Sequence, residues 1–190
     1  PVFIFPAHIA CLKSVAIGGH LLASGSADEL IKLYDIKKRK ELGTLMHHSG
    51  KCTITSMEFY GKTHMVSVAD DGKLCIWRTK DWECLRELKG HTGAINCVSV
   101  HPSGRIALTV GADRTLRSWD LTVGGKLSAT KLRQAADLIR WSPSGAQYAV
   151  LTGRKIDIYN VAVRSWQSLS HGACLYTNVL TVCWYTRMHK

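Results

Sequence analysis

The stretch GADRTLRSWD, residues 111–120, sets Asp113 six places ahead of Trp119 and closes on a second carboxylate, Asp120. A catalytic arrangement occurs once in a domain, whereas a joint in a modular fold recurs along the chain. This spacing recurs. In SADELIKLYD (26–35) Asp28 precedes Tyr34, and in ADDGKLCIWR (69–78) Asp71 precedes Trp77. The three Asp residues are 43 and 42 positions apart, a period that signals units of four short strands. TGRKIDIYN (152–160) is a weaker fourth copy: Tyr159 follows Trp119 by 40 residues, but Gly153 stands where the Asp belongs.

Inside each unit the apolar runs are short, alternating and rich in Val, Ile, Thr and aromatics, which is the pattern of strands. In the third unit they predict strands over Ile95–Val100, Ile106–Val110, Thr115–Asp120 and Lys126–Leu132. HPSG (101–104) and SPSG (142–145) read as turns between first and second strands, with Pro102 and Pro143 pre-setting φ and Gly104 and Gly145 tolerating positive φ. No segment has the period of a long amphipathic helix.

Four places before each Asp stands a hydroxyl, Ser24, Ser67 or Thr109, and a histidine precedes each first strand, His8, His48 or His91. A Ser-His-Asp set invites a hydrolase reading. Three near-identical sets in one chain, and no G-x-S-x-G elbow, oppose it. A structural reading fits the recurrence: Asp to His, His to hydroxyl, hydroxyl to Trp indole, one buried hydrogen-bonded chain per unit. The same residues are then a joint, with no catalytic member.

The 190 residues carry 25 Lys and Arg against 14 Asp and Glu, a net charge of +11. Such an excess favours an acidic or polyanionic neighbour. The one dense basic run is Lys37-Lys38-Arg39-Lys40, open to three readings: a solvated loop, a nucleic-acid contact or a nuclear-import signal. Seven cysteines are an odd number without C-x-x-C or zinc-finger spacing, so the expectation is reduced thiols, none reactive, and no metal site. Cys75 and Cys97 lie in strand-like runs, where a thiol behaves as a small hydrophobe. No apolar run approaches the roughly 20 residues of a membrane-spanning helix. No phosphate loop or dinucleotide fingerprint is present, and neither cofactor nor small-molecule substrate is expected. The opening PVFIFPAHIACL starts at Pro1 without a basic leader and reads as a fragment or processed form.

Gly90-His91 followed by Trp119-Asp120, with Asp113 in the intervening turn, resembles the WD-repeat β-propeller family. The resemblance covers about residues 8–160 and implies an all-β fold of four-stranded antiparallel blades. About four blades are present, over 8–46, 47–89, 90–132 and 133–162, after a remnant at 1–7 and before a divergent tail at 163–190. Four blades, with the family usually built from about seven, imply an open arc. Departures are Tyr34 and Tyr159 for Trp, and Arg78 for the closing Asp of the second unit.

The segments HHSG (47–50), DWECL (81–85), HPSGRIAL (101–108), WSPSGAQY (141–148) and KIDIY (155–159) are similar to one branch of that family. That branch implies a non-catalytic scaffold of nucleus and nucleolus, acting in large ribosomal subunit assembly. Its implied partners are pre-60S assembly factors and precursor rRNA, with restraint of p21-activated kinases as the other implied role. Turn residues beside the Asp, namely Glu29, Asp70 and Arg114, join Lys37 to Lys40 as candidate contacts. The tail from Val163, without a single acidic residue, departs from the pattern, is expected to be poorly ordered or irregularly packed, and resembles the product of alternative splicing or of a divergent gene model.

Overall fold

In the computed structural model, which describes residues 4–5, 8–48 and 52–161, every regular element is a strand. The first sheet runs β1 (Leu12–Gly18), β2 (Leu21–Ser26), β3 (Ile31–Asp35), β4 (Lys40–Leu45). The second runs β5 (Ile54–Tyr60), β6 (His64–Ala69), β7 (Lys73–Arg78), β8 (Cys84–Lys89). The third runs β9 (Ile95–Val100), β10 (Ile106–Gly111), β11 (Thr115–Asp120), β12 (Gly125–Lys131). The fourth, among the described residues, has three strands: β13 (Leu138–Trp141), β14 (Gln147–Thr152) and β15 (Lys155–Asn160). All pairings are antiparallel between sequence neighbours, so each sheet is a meander made by short turns. The tail from 163 lies outside the described residues.

The two-residue period of the strands decides how sheets stack. In β6 and β7, Met65, Cys75 and Trp77 turn to the first sheet and pack with its Ala23 and Leu33, together with Ile54 of their own sheet. The alternate residues Val66, Val68, Leu74 and Ile76 turn to the third sheet and meet Ile95, Val98 and Trp119. Leu108 and Val110 then face Ile139, Tyr148 and Val150 of the fourth sheet. The middle strands are apolar on both faces because each lies between two neighbours. Burying one such aliphatic side chain stabilises by about 1.5–3 kcal/mol.

Successive sheets also share polar contacts at matching positions. Thr55 Oγ1 donates to the Ile95 carbonyl (2.5 Å), and Asn96 Nδ2 donates to the Ala136 carbonyl (2.8 Å). Glu58 accepts from the Val100 amide (3.1 Å). First strands pack on first strands, β1 on β5, β5 on β9 and β9 on β13, which places them innermost, while β4, β8 and β12 form the exposed rim. These are propeller blades in an arc that stays open among the described residues. Val15 and Ile17 on the outward face of β1 are 57% and 62% exposed where a further blade would cover them.

The turns follow their residues. Gly104 and Gly145 have φ of 71° and 73°, and their amides close the turns onto His101 and Ser142. Gly111 has a different cause, since a Cβ there would come within 2.7 Å of the Ala94 carbonyl oxygen. The chain needs that close approach to bring the linker before β9 against the turn that holds Asp113.

Candidate functional site

The turn between β10 and β11 puts Asp113 beside the linker that carries His91. Both carboxylate oxygens of Asp113 lie 3.0 Å from His91 Nδ1, and His91 Nε2 lies 2.8 Å from Thr109 Oγ1 on β10. Trp119 Nε1 on β11 donates to the same Thr109 oxygen at 2.8 Å. An ionised carboxylate only accepts, so Nδ1 of the ring carries the proton and Nε2 accepts from the threonine hydroxyl. Each donor then has one acceptor, and four side chains from the linker, β10, the turn and β11 close one chain.

Protonation states agree with that assignment. Burial lowers the His91 pKa against the opposing pull of Asp113, which keeps the ring neutral. Burial would raise Asp113, but hydrogen bonds from Thr115, His91 and the Thr92 amide outweigh it and hold the carboxyl below its ordinary range. Thr109 is fully buried and its oxygen already serves both ring and indole. A substrate carbonyl has no route to it, so the set lacks the exposed nucleophile that acyl transfer needs.

The second blade repeats the joint with longer contacts to the acid. His48 Nδ1 lies 3.2 and 3.3 Å from the Asp71 oxygens, His48 Nε2 is 2.9 Å from Ser67 Oγ, and Trp77 Nε1 donates to Ser67 at 2.9 Å. The first blade stops one bond short. His8 meets Asp28 at 2.9 and 3.0 Å and Ser24 at 2.8 Å, but the Tyr34 hydroxyl is buried without a hydrogen-bond partner. A phenol in the indole's place cannot offer an N–H to Ser24. In the fourth blade, which lacks the His and Asp, Tyr148 and Tyr159 stack at 5.0 Å. Asp137 accepts there from the Gly153 amide at 3.0 Å, a substitute the Asp-to-aromatic spacing does not show.

The carboxylate after the third-strand aromatic has a separate task. Asp120 accepts from the amides of Thr122 (2.8 Å) and Val123 (3.1 Å), and Asp35 accepts from the Lys38 amide (2.8 Å), capping the turns that lead to the rim strands. In the second blade Arg78 reverses the polarity: its guanidinium holds Asp81 and Glu83 in the corresponding turn.

Candidate contact residues fall at opposite ends of the strands. Glu29 and Arg114 directly follow the joint aspartates in left-handed backbone, φ 70° and 56°, where the second blade has Gly72 at φ 76°. Asp70 lies in the same kind of turn, and its Oδ1 accepts from the Thr53 amide at 2.8 Å. That end also carries the linkers between blades, as the bonds from Asp70 to Thr53 and Ala112 to Ala94 show. Lys37, Lys38 and Arg39 form the exposed turn between β3 and β4 at the other end, and Lys40 opens β4. The structure therefore brings the joint residues together and leaves the two sets of candidate contacts apart.

Cys84 differs from Cys52 and Cys75 in the direction in which its surroundings move its pKa. A hydrogen bond from the Cys75 thiol, with His47 nearby, lowers the Cys84 pKa, while the same bond and burial raise that of Cys75. Cys97 on β9 is buried in the apolar cluster against β13, but its sulfur also accepts from the Arg140 guanidinium at 3.3 Å, a polar contact that a purely hydrophobic role does not contain.

Blades of antiparallel strands in meander order, two of them tied by the full chain of Asp, His, hydroxyl and indole and a third by all of it but the indole, define a WD-repeat propeller. The model of the WD domain, G-beta repeat, matches residues 1–35, 39–78 and 82–120, and the chain belongs to that family. It is 46% identical over 165 residues to p21-activated protein kinase-interacting protein 1-like of Gallus gallus, covering 87% of this chain and 44% of the relative. Protein MAK11 of Saccharomyces cerevisiae is 36% identical over 179 residues, 84% of this chain and 43% of the relative. Shk1 kinase-binding protein 15 of Schizosaccharomyces pombe is 31% identical over 191 residues, 96% of this chain and 55% of the relative. The chain thus spans about half, or less, of the length of these relatives.

Proposed function

We propose that this chain is a non-catalytic binding scaffold whose blade ends hold pre-60S assembly factors, and precursor rRNA beside them, during large ribosomal subunit assembly in the nucleolus. The observation that carries the binding role is the burial of every complete joint: the recurring Asp, His and hydroxyl set is consumed in holding blades together. What remains for function is surface. The fold alone names no partner, so the ribosomal assignment rests on the resemblance of the repeats and on the net charge of +11. The exposed basic turn from Lys37 to Arg39 offers the phosphate contacts such a role requires.

A second reading has its own support, because two of the similar proteins carry kinase-interacting or kinase-binding in their names. In that reading the blade surface occupies the regulatory part of a p21-activated kinase and restrains it.

Affinity purification of the tagged 190-residue chain, with protein and RNA identified together, separates the two. Large-subunit precursor RNA with assembly factors supports the ribosomal role. Recovery of a kinase without RNA supports the second. Replacing Lys37, Lys38, Arg39 and Lys40 with Gln should weaken RNA recovery and flatten its dependence on salt. Unchanged RNA binding with lost nuclear accumulation assigns the run to transport instead.

A further inference from the structure

Two groups of soft or acidic ligand atoms converge in the second blade. In the first, His48 with Cys52 and Asp71, both ring nitrogens are already engaged in the joint. The second stands outside the joints. One ring nitrogen of His47 and the sulfurs of Cys75 and Cys84 all lie within 4.8 Å of one another. We propose that His47, Cys75 and Cys84, with the carboxylate of Glu87 beside them, form a binding site for zinc or a similarly thiophilic divalent cation.

The donor types fit that class of ion, since two thiolates and an imidazole select zinc over magnesium or calcium. Bonds of about 2.0–2.3 Å in a tetrahedron place neighbouring donors roughly 3.3–3.8 Å apart. Glu87 is not one of the three mutually close donors, but its Oε2 pairs with His47 Nε2 at 3.3 Å and so stands at the edge of the group. Glu87 is the direct cross-strand partner of Cys75, so β7 and β8 deliver these two ligands together. Cys84 comes from the start of β8, where the register with β7 shifts between Ile76 and Trp77. Such a bulge re-aims a side chain, here bringing Cys84 toward Cys75.

The surroundings suit a bound cation. Cys75 is fully buried and fixes the inner end of the site, while His47 and Cys84 are partly exposed and give an entry path. The Trp77 ring meets the His47 ring edge-on at 5.6 Å and limits its swing. Glu87 Oε1 is held by Lys73 at 3.2 Å and Lys89 at 3.0 Å, which leaves Oε2 toward His47. Two thiolates and a carboxylate around a divalent ion leave one excess negative charge, and these two ammonium groups offset it. On binding, each thiol releases its proton to solvent as its sulfur bonds the metal, and no electron is transferred. His47 lies in the linker between the first two blades, so the ion would staple that linker to β7 and β8.

Cobalt(II) is the probe, added to the metal-free, reduced 190-residue chain in which Cys11, Cys174 and Cys183 are replaced by Ser. The site should give thiolate-to-cobalt charge-transfer absorption and the visible bands of tetrahedral cobalt, saturating at one ion per chain and displaced by zinc. His47→Ala and Cys84→Ala should abolish both signals with the far-ultraviolet circular dichroism unchanged, and Cys97→Ser should retain them. Glu87→Gln should weaken zinc binding by about tenfold or more. Absence of thiolate–cobalt absorption overturns the proposal, as does absorption that survives Cys84→Ala. A Cys75–Cys84 disulfide formed in air, with no cobalt signal from the reduced chain, also overturns it.

Discussion

Thr109 carries the joint of the third blade, because a single hydroxyl both donates to His91 and accepts from Trp119. Removing Asp113 at the far end takes the 3.0 Å acceptor from the buried His91 Nδ1–H, leaving it Thr115 Oγ1 at 3.3 Å, and takes the acceptor of the Thr92 and Thr115 amides as well. Asp113→Ala should therefore destabilise the chain by roughly 1–3 kcal/mol in urea unfolding, the cost of an unsatisfied buried group. Equal stability of variant and parent would count against the structural role. The joints also set a pH dependence. Burial lowers His48 and His91 below 6.5, so the unfolded chain takes up protons there that the folded chain resists. Their contribution is complete above pH 6.5 and is lost progressively as the pH falls toward the folded values. Asp28 and Asp113, held below 3.8, add a further loss in more acid solution. Urea midpoints measured from pH 7.5 to 5 should fall, and a His48→Gln, His91→Gln pair should flatten that slope. These joints are readable in the sequence because they rest on spacing alone. The orphaned Tyr34 hydroxyl and the replacement of an Asp by Asp137 are not, because each depends on where a side chain ends up across the sheet.

The turns between second and third strands hold one position in left-handed backbone in each of the first three blades, and only the second blade fills it with glycine. Glu29 and Arg114 bear a conformational cost of about 1–2 kcal/mol that Gly72 does not. Arg114→Gly should leave stability unchanged or raise it, as judged by urea unfolding, while weakening capture of any partner that reads this end of the blades. A loss of stability would mean that the Arg114 side chain supports the fold. Strand positions were legible from alternation: the segments expected over 95–132 differ from β9 to β12 by one residue at three of their ends. The convergence of His47, Cys75 and Cys84 was not. His47 and Cys75 are 28 residues apart, and a register shift between β7 and β8 brings Cys84 to them, which no linear spacing rule contains.

Four blades that touch only their neighbours make a nearly one-dimensional assembly, in which each blade's stability depends on how many faces it shares. The second and third blades are covered on both sides, whereas the first leaves Val15 and Ile17 in solvent and the fourth leaves Leu138 and Ile156 partly or largely exposed. The edges of such an arc are also open to pairing with another chain, so oligomers are expected as concentration rises. The number of blades was legible from the 42- and 43-residue repeat, but the two-sided apolar pattern that joins them does not say what covers the ends. Amide hydrogen exchange on the monomeric 190-residue chain distinguishes an arc from a closed ring. Protection should be greatest from β5 to β11 and lower in β1, β2 and β13 to β15, with a gradient rather than one cooperative step. Uniform protection from β1 to β15, lost in a single global opening, would show that the chain closes on itself and that the arc is wrong.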